Sequence, residues 1–124
     1  MMQTTPEESV RGRRILVVED EFLIAEDLCA ALEDLGAVSL GPVSTVDDAL
    51  AIVRSPDALD AATLDVELRR EKSYPVAEAL QELGLPFVFL TGYDAEAFPN
   101  HLRSAPRCQK PFNAREIAEA LFRG

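Results

Sequence analysis

Short apolar runs alternate with amphipathic segments along most of this chain. Each run is too short for a helix and is bounded by polar or turn-forming residues, so each is a predicted strand. The segments between them repeat apolar residues at helical spacing, as with Ile24, Leu28 and Leu32. Right-handed crossovers between successive strands then predict an α/β fold, with a parallel sheet between two layers of helices. The predicted strands cover residues 13–18, 37–40, 61–66, 87–90 and 107–109.

Capping and turn-forming residues mark the ends of the predicted helices. The first helix is expected over 21–35, the second from a cap at Ser44 or Thr45 to before Pro56, and the third from Ser73 to before Gly84. A short fourth helix is expected over 94–98, since Pro99 interrupts it. The last helix is expected to follow a capping box formed by Asn113 and Glu116. A charged loop is expected over 67–72. Residues 1–12 show no period and are expected to be a flexible tail, followed by one domain over 13–124.

Charge and apolar content limit the classes of function. The net charge of −10 disfavours direct binding of nucleic acid and suits the binding of a cation. No apolar run is long enough to span a bilayer and the start has no signal-peptide pattern, so a cytoplasmic location without membrane contact is expected. Cys29 and Cys108 lack metal-ligand spacing and are expected to be buried, reduced thiols.

Polar side chains follow four of the predicted strands. Asp65 lies at the end of the central strand, the acidic residues 19–21 follow the first, Thr91 follows the fourth, and Lys110 follows the fifth. Because ligands of parallel sheets bind beyond the carboxyl ends of the strands, we expect these groups to converge. On their own, the acids after the first strand would cap the next helix, and one of them is expected to do so.

A cluster of carboxylates predicts a metal site. Three carboxylates held close together repel one another unless a cation neutralises them, and ligands that are all oxygen atoms suit Mg²⁺ better than zinc. Asp65 is then a candidate nucleophile that would attack a phosphoryl group and carry it as an acyl phosphate. Lys110 and the Thr91 hydroxyl would stabilise the phosphoryl oxygens.

The set resembles the receiver domain of bacterial two-component response regulators, from Arg13 to the end of the chain. The motifs are ILVVEDE, LDV, LTG and KPF, in that order. The resemblance implies a flavodoxin-like (βα)5 fold, with a five-stranded parallel sheet in the order 2-1-3-4-5. The run PFVFLTGY resembles the PFxFATGY signature of a proteobacterial subgroup of receivers that are often stand-alone.

The resemblance also implies a role for each site residue. Asp65 would be the phosphoacceptor, Thr91 the switch hydroxyl, and Lys110 the active-site lysine, with a cis bond to Pro111. Mg²⁺ would be held by Glu19, Asp20, Asp65 and the backbone carbonyl of Glu67. Such a domain is not an enzyme in the usual sense, since it assists only its own phosphorylation and dephosphorylation.

Three positions bear on how the domain would switch and on how long it would stay phosphorylated. Arg107 stands where most receivers place an aromatic switch residue, and a guanidinium buried there without a partner would be costly. Tyr93, on the loop after Thr91, is therefore either the group that responds to phosphate or only a lid over the loop. Glu67 and Tyr93 occupy positions that control water access in this family, so we expect them to set the lifetime of the phosphorylated state. Unchanged dephosphorylation in both Glu67→Ala and Tyr93→Ala would exclude that role.

Protein partners are the expected route of signalling. Phe22 and Leu23 lie off the apolar face of the first helix, and exposed apolar residues there would suit docking of a partner helix, although at least one is expected to be covered by loop packing. The resemblance implies a sensor histidine kinase or a histidine phosphotransfer protein as donor. The protein is then expected to be a single-domain response regulator. It would act through protein contacts as a phosphorylation switch or as a phosphorelay intermediate, either as a monomer or as a phosphorylation-dependent dimer.

Three other classes of function fit the sequence less well. A haloacid-dehalogenase-type phosphatase needs a second Asp two residues after the nucleophile, where this chain has Glu67. A flavin-binding module needs a phosphate loop where this chain has three acids. The main alternative is a receiver-like scaffold that works without phosphorylation, which normal signalling by an Asp65→Asn variant would favour.

Overall fold

The computed structural model describes residues 5–55, 58–92 and 98–122. The strands are β1 (Arg14–Val18), β2 (Val38–Val43), β3 (Ala61–Asp65), β4 (Glu67–Leu68), β5 (Glu71–Lys72), β6 (Phe87–Thr91) and β7 (Arg107–Gln109). The helices are α1 (Pro6–Val10), α2 (Phe22–Asp34), α3 (Val46–Val53), α4 (Tyr74–Glu82) and α5 (Ala114–Phe122), with a 3₁₀ turn at Asn100–Leu102.

Five parallel strands form the central sheet. Their order is β2-β1-β3-β6-β7, which is the predicted order 2-1-3-4-5 once the small antiparallel hairpin β4–β5 is set aside. The predicted flavodoxin-like arrangement is therefore confirmed. The central strand β3 is buried along its whole length, as expected for a strand covered on both faces.

Alternate residues of the strands point into two separate cores. On β1, Leu16 and Val18 pack in the core shared with α3 and α4. Ile15 and Val17 pack on the opposite face, in the core shared with α2 and α5. This alternation follows from the two-residue period of a strand, and it fixes the sheet between the two helical layers.

Two predicted helix caps are present. Thr45 precedes α3, and its hydroxyl oxygen accepts a hydrogen bond from the Asp48 amide at 3.1 Å. Before α5, Asn113 Oδ1 accepts from the Glu116 amide at 2.9 Å, and Asn113 Nδ2 donates to the Glu116 carboxylate at 3.0 Å. Gly36 follows α2 with a φ of +100°, the left-handed conformation expected there.

The flexible tail predicted over residues 1–12 is wrong for the described residues of that segment. Residues 6–10 form α1, which packs against α5. Val10 is fully buried in the core beneath α2 and α5, and the Gly12 amide donates to the Gly36 carbonyl at 2.7 Å. A single helical turn has too few residues to show a period, so its stability comes from the surface against which it packs.

Residues 67–72 form a hairpin, so the predicted charged loop is also wrong. The hairpin β4–β5 pairs Glu67 with Lys72 and Leu68 with Glu71. Leu68 is buried, and Glu71 Oε2 accepts from the Val46 amide at the start of α3 at 3.0 Å. These contacts hold the hairpin against the body of the domain.

The structure also bears on the predictions for the two cysteines, the Lys110–Pro111 bond and the short fourth helix. Cys108 is buried and Cys29 is half-buried, and both are free thiols. The Lys110–Pro111 bond is cis, as the resemblance implies, and the Gly41–Pro42 bond is cis as well. The short helix expected over 94–98 lies outside the described residues, apart from buried Phe98. Within the described part of the chain, no helix has the length and apolarity needed to cross a membrane.

Candidate functional site

The candidate site lies where parallel strands end at one edge of the sheet. Asp65 is the last residue of β3, beside β6, which ends at Thr91. Glu19 directly follows β1, and its amide donates to the Val43 carbonyl at the end of β2 at 3.0 Å. Lys110 directly follows β7, and its amide donates to the Thr91 carbonyl at 3.1 Å. The ladder of the sheet therefore sets the backbone positions of the site residues.

The side chains that follow these strands come together. Carboxylate oxygens of Glu19, Asp20 and Asp65 lie within 4.8 Å of one another. Lys110 Nζ donates to Asp65 Oδ1 at 3.1 Å and lies 3.8 Å from Glu19 Oε1. Thr91 is buried and lines an open cavity with Asp20, Asp65 and Lys110. The structure thus brings three carboxyl groups, one ammonium group and one hydroxyl to the same place.

Burial and crowding of like charges perturb two of these groups. Burial, followed by the neighbouring Asp65 carboxyl group, raises the pKa of Glu19 to about 8. Partial burial alone would lower the pKa of Lys110, but the carboxylates of Asp65, Glu19 and Glu21 outweigh it and hold that pKa above its ordinary value. The raised pKa of Lys110 reflects the negative charge around it, which a divalent cation would also relieve.

The donor set fits a hard divalent cation. Among the described residues, buried Glu19 Oε1 has no hydrogen-bond partner, although Glu19 Oε2 accepts from the Asp20 amide at 3.0 Å. The nearby donors are carboxylate oxygens, with neither nitrogen nor sulfur in the described cluster. Carboxylates on one side of an open cavity leave room for water and phosphate oxygens, which is the arrangement that Mg²⁺ favours.

The hairpin β4–β5 forms one wall of this cavity. Glu67 begins it two residues after Asp65, and its exposed side chain forms an ion pair with Lys72. Arg69, in the turn of the hairpin, also lines the cavity, although the sequence analysis did not single it out. The opposite charges of Glu67 and Lys72 face each other across the hairpin, but a single pair of this kind is too weak a sequence signal to predict it.

Arg107 is partly buried, and a neighbouring aromatic ring covers it. Its Cζ lies 5.1 Å from the centroid of the Phe98 ring, and its Nη2 donates to the Arg103 carbonyl at 2.6 Å. The cost expected for a guanidinium without a partner is therefore partly offset, although its buried Nη1 has no hydrogen bond to any described residue. Tyr93, the other candidate for the switch, lies outside the described residues.

Phe22 and Leu23 are both exposed at the start of α2. Their exposed fractions are 69% and 74%, so the expectation that loop packing covers at least one of them is wrong. Glu21, at the N-cap position of α2, makes no capping hydrogen bond through its side chain. Because Glu21 also lines the cavity, the start of α2 presents an apolar surface directly beside the acidic cluster.

The chain is similar to known bacterial regulators. It is 46% identical to SdrG from Sphingomonas melonis Fr1, whose solution structure it matches with a TM-score of 0.74 over 91% of this chain and 94% of that one. A solution structure of the BeF3-activated conformation of SdrG, from Pseudomonas melonis Fr1, is 44% identical over 96% of each chain, with a TM-score of 0.71.

Two further comparisons extend this likeness, although no family model matches the chain. Over 116 residues the chain is 33% identical to the Phyllosphere-induced regulator PhyR of Methylorubrum extorquens, and it spans only 43% of the length of that protein. A response regulator receiver protein from Sinorhizobium medicae WSM419 has the same fold, with a TM-score of 0.77 and 23% identity over 89% of this chain and 91% of that one.

Proposed function

This chain belongs to the receiver domains of response regulators, and from that premise we propose that it is a phosphorylation switch whose phosphoacceptor is Asp65. The observation that carries the proposal is the contact of Lys110 Nζ with Asp65 Oδ1, at 3.1 Å, within a cluster of three carboxyl groups. An aspartyl oxygen in this position can accept a phosphoryl group, while the lysine remains within reach of its oxygens.

The proposed donor is a phosphohistidine of a sensor kinase or of a histidine phosphotransfer protein. An Asp65 carboxylate oxygen forms a bond to phosphorus as the P–N bond breaks, and the leaving imidazole nitrogen keeps the electron pair of that bond and takes up a proton. In the transition state the negative charge lies on the equatorial phosphoryl oxygens. Lys110 would pair with one of these oxygens, and the Thr91 hydroxyl would donate to another.

Glu19, Asp20 and Asp65 would hold Mg²⁺, with the carbonyl of Glu67 as a further ligand. When bound, the ion would neutralise charge on the phosphoryl oxygens. Once phosphorylated, the domain would shift between two conformations that its protein partners distinguish. Glu67 and Tyr93 remain our candidates for controlling the access of water to the acyl phosphate.

The proposal predicts that the protein gains one phosphoryl group when it is mixed with Mg²⁺ and acetyl phosphate. Beryllofluoride should produce the same change in the NMR spectrum as phosphorylation, since it mimics a phosphoryl group. Asp65→Asn should abolish both effects, and intact-mass spectrometry with NMR would measure them. If the wild-type protein stays unmodified, or if Asp65→Asn still signals normally in the cell, the scaffold interpretation replaces this one.

The exposed surface formed by Phe22 and Leu23 is the proposed docking site for the phosphodonor protein. Replacing both residues with Asp should slow transfer from a phosphorylated kinase by about 10-fold or more, because apolar anchors dominate such interfaces. The rate with acetyl phosphate should change little, since that donor needs no docking surface. Leu83→Asp is the matched control, because Leu83 is also exposed but lies at the end of α4. An equal loss with both donors would contradict the docking role.

A further inference from the structure

The cavity above Asp65 has few positive charges for a site that must admit an anion. Its lining includes four acidic residues, Asp20, Glu21, Asp65 and Glu67. Against these, the described lining contains two cations, Lys110 and Arg69. Mg²⁺ bound as proposed above would neutralise only part of this negative charge, so a cation near the entrance bears directly on how readily an anionic phosphoryl group enters.

The two cations differ in how far they are already engaged. Lys110 is held by Asp65 at 3.1 Å and lies close to Glu19, at 3.8 Å. Arg69 is exposed, and among the described residues no carboxylate lies within ion-pair distance of it. Its guanidinium thus remains available to an anion, and guanidinium groups bind phosphate oxygens through two parallel hydrogen bonds.

The hairpin holds Arg69 in this place. Leu68, the residue before it, is buried and anchors the first arm of the hairpin. Glu67 and Lys72 pair across the hairpin, which also compensates the charge of Glu67. Glu71 accepts from the Val46 amide and so fixes the second arm to α3. A long side chain on a backbone restrained in this way loses less entropy on binding than one on a free loop.

We infer that Arg69 is a phosphodonor-binding residue, which captures the phosphoryl group at the mouth of the cavity before its transfer to Asp65. This inference rests on the proposed function. The group recognised is the anionic phosphoryl group itself, so the same residue serves a protein phosphohistidine and a small acyl phosphate. The transfer step is unchanged: the bond from phosphorus to the leaving atom breaks as the bond to Asp65 forms.

Arg70 provides a matched control for Arg69. It has the same side chain and lies in the same turn, but it lines only the neighbouring cavity beside Ser44 and Thr45, whereas Arg69 borders both cavities. A general effect of positive charge on the hairpin would appear in both Arg69→Gln and Arg70→Gln. An effect at the mouth of the phosphoacceptor cavity would appear only in Arg69→Gln. Arg69→Lys, which keeps the positive charge, would retain much of the wild-type affinity for the donor.

The experiment measures phosphorylation of the whole chain at increasing concentrations of acetyl phosphate and, separately, of phosphoramidate, in excess Mg²⁺. For Arg69→Gln we expect the half-saturating concentration of both donors to rise about 5-fold, with the rate at saturation unchanged within about twofold. For Arg70→Gln the rise should stay below about twofold. Added salt should narrow the difference between the wild-type protein and Arg69→Gln, because it screens the charge on Arg69.

The affinity for Mg²⁺, measured by NMR titration, distinguishes a role of Arg69 in binding the donor from a role in holding the hairpin in place. Removal of a positive charge beside the cluster cannot weaken cation binding by electrostatics, so weaker Mg²⁺ binding in Arg69→Gln would mean that the hairpin has moved and would overturn the inference. Equal effects in the two Gln variants, a lower rate at saturation, or an effect with acetyl phosphate alone would also overturn it and leave the proposed function intact. A wild-type protein that accepts no phosphate from either donor would overturn both.

Discussion

Lys110→Met is expected to lower the rate of phosphorylation by about 100-fold while Mg²⁺ binding is retained or becomes tighter. Lys110 is the cation closest to the phosphoacceptor, since its Nζ lies 3.1 Å from Asp65 Oδ1. Without it, one phosphoryl oxygen loses its partner in the transition state. The same change removes a positive charge from the three-carboxylate cluster, and electrostatics then favours a divalent cation more strongly.

Phosphorylation is lost while Mg²⁺ binding is kept, so a simple loss of structure, which would weaken both, cannot imitate the result. NMR titration measures Mg²⁺ affinity, and intact-mass spectrometry after addition of acetyl phosphate measures the rate. Arg54→Met is the control, because Arg54 is an exposed cation at the end of α3 and does not line the cavity. Phosphorylation of Lys110→Met at the wild-type rate would remove the lysine from the proposed mechanism, and loss of Mg²⁺ binding would contradict the electrostatic argument.

The site could be anticipated because it depends on the topology of the sheet. Once the strands are parallel, the residues that follow them must meet at one edge, whatever the surrounding loops do. Asp65 and Thr91 are the last residues of their strands and Lys110 directly follows one, so errors in the predicted lengths of the loops do not change where these residues lie. The helix caps at Thr45 and Asn113 could also be predicted from the sequence, because each cap depends on residues only three positions apart.

The features that sequence analysis missed depend on contacts between distant residues. The hairpin β4–β5 has strands of two residues, too short for any alternation of apolar and polar side chains to show. It is held instead by burial of Leu68 and by the hydrogen bond from the Val46 amide to Glu71, which lies 25 residues further along the chain. Arg69 owes its position at the cavity to that hairpin, so its relation to Asp65 could not be predicted before the hairpin was known.

The N-terminal helix is the clearest case of this kind, and it leads to a prediction about stability. Val10 is 0% exposed and packs in the same core as Ile117 and Leu121 of α5. Arg13, just after the helix, lies over the Phe122 ring at 5.1 Å. If these contacts make α1 part of the folded domain, a cavity at Val10 must lower the free energy of unfolding, whereas a flexible tail would tolerate the same change.

Val10→Ala is therefore expected to lower the free energy of unfolding by about 2 kcal/mol, the usual cost of deleting buried methyl groups without refilling the space. Val38→Ala is the matched control, because Val38 is 43% exposed on the edge strand β2 and its truncation should change that free energy by no more than about 0.5 kcal/mol. Urea denaturation followed by circular dichroism measures both. The helix leads into the amino end of β1, and the phosphoacceptor lies at the opposite edge of the sheet, so phosphorylation of folded Val10→Ala should proceed at the wild-type rate. Equal stability of the two variants would return residues 5–12 to the status of a tail that contributes nothing to the core.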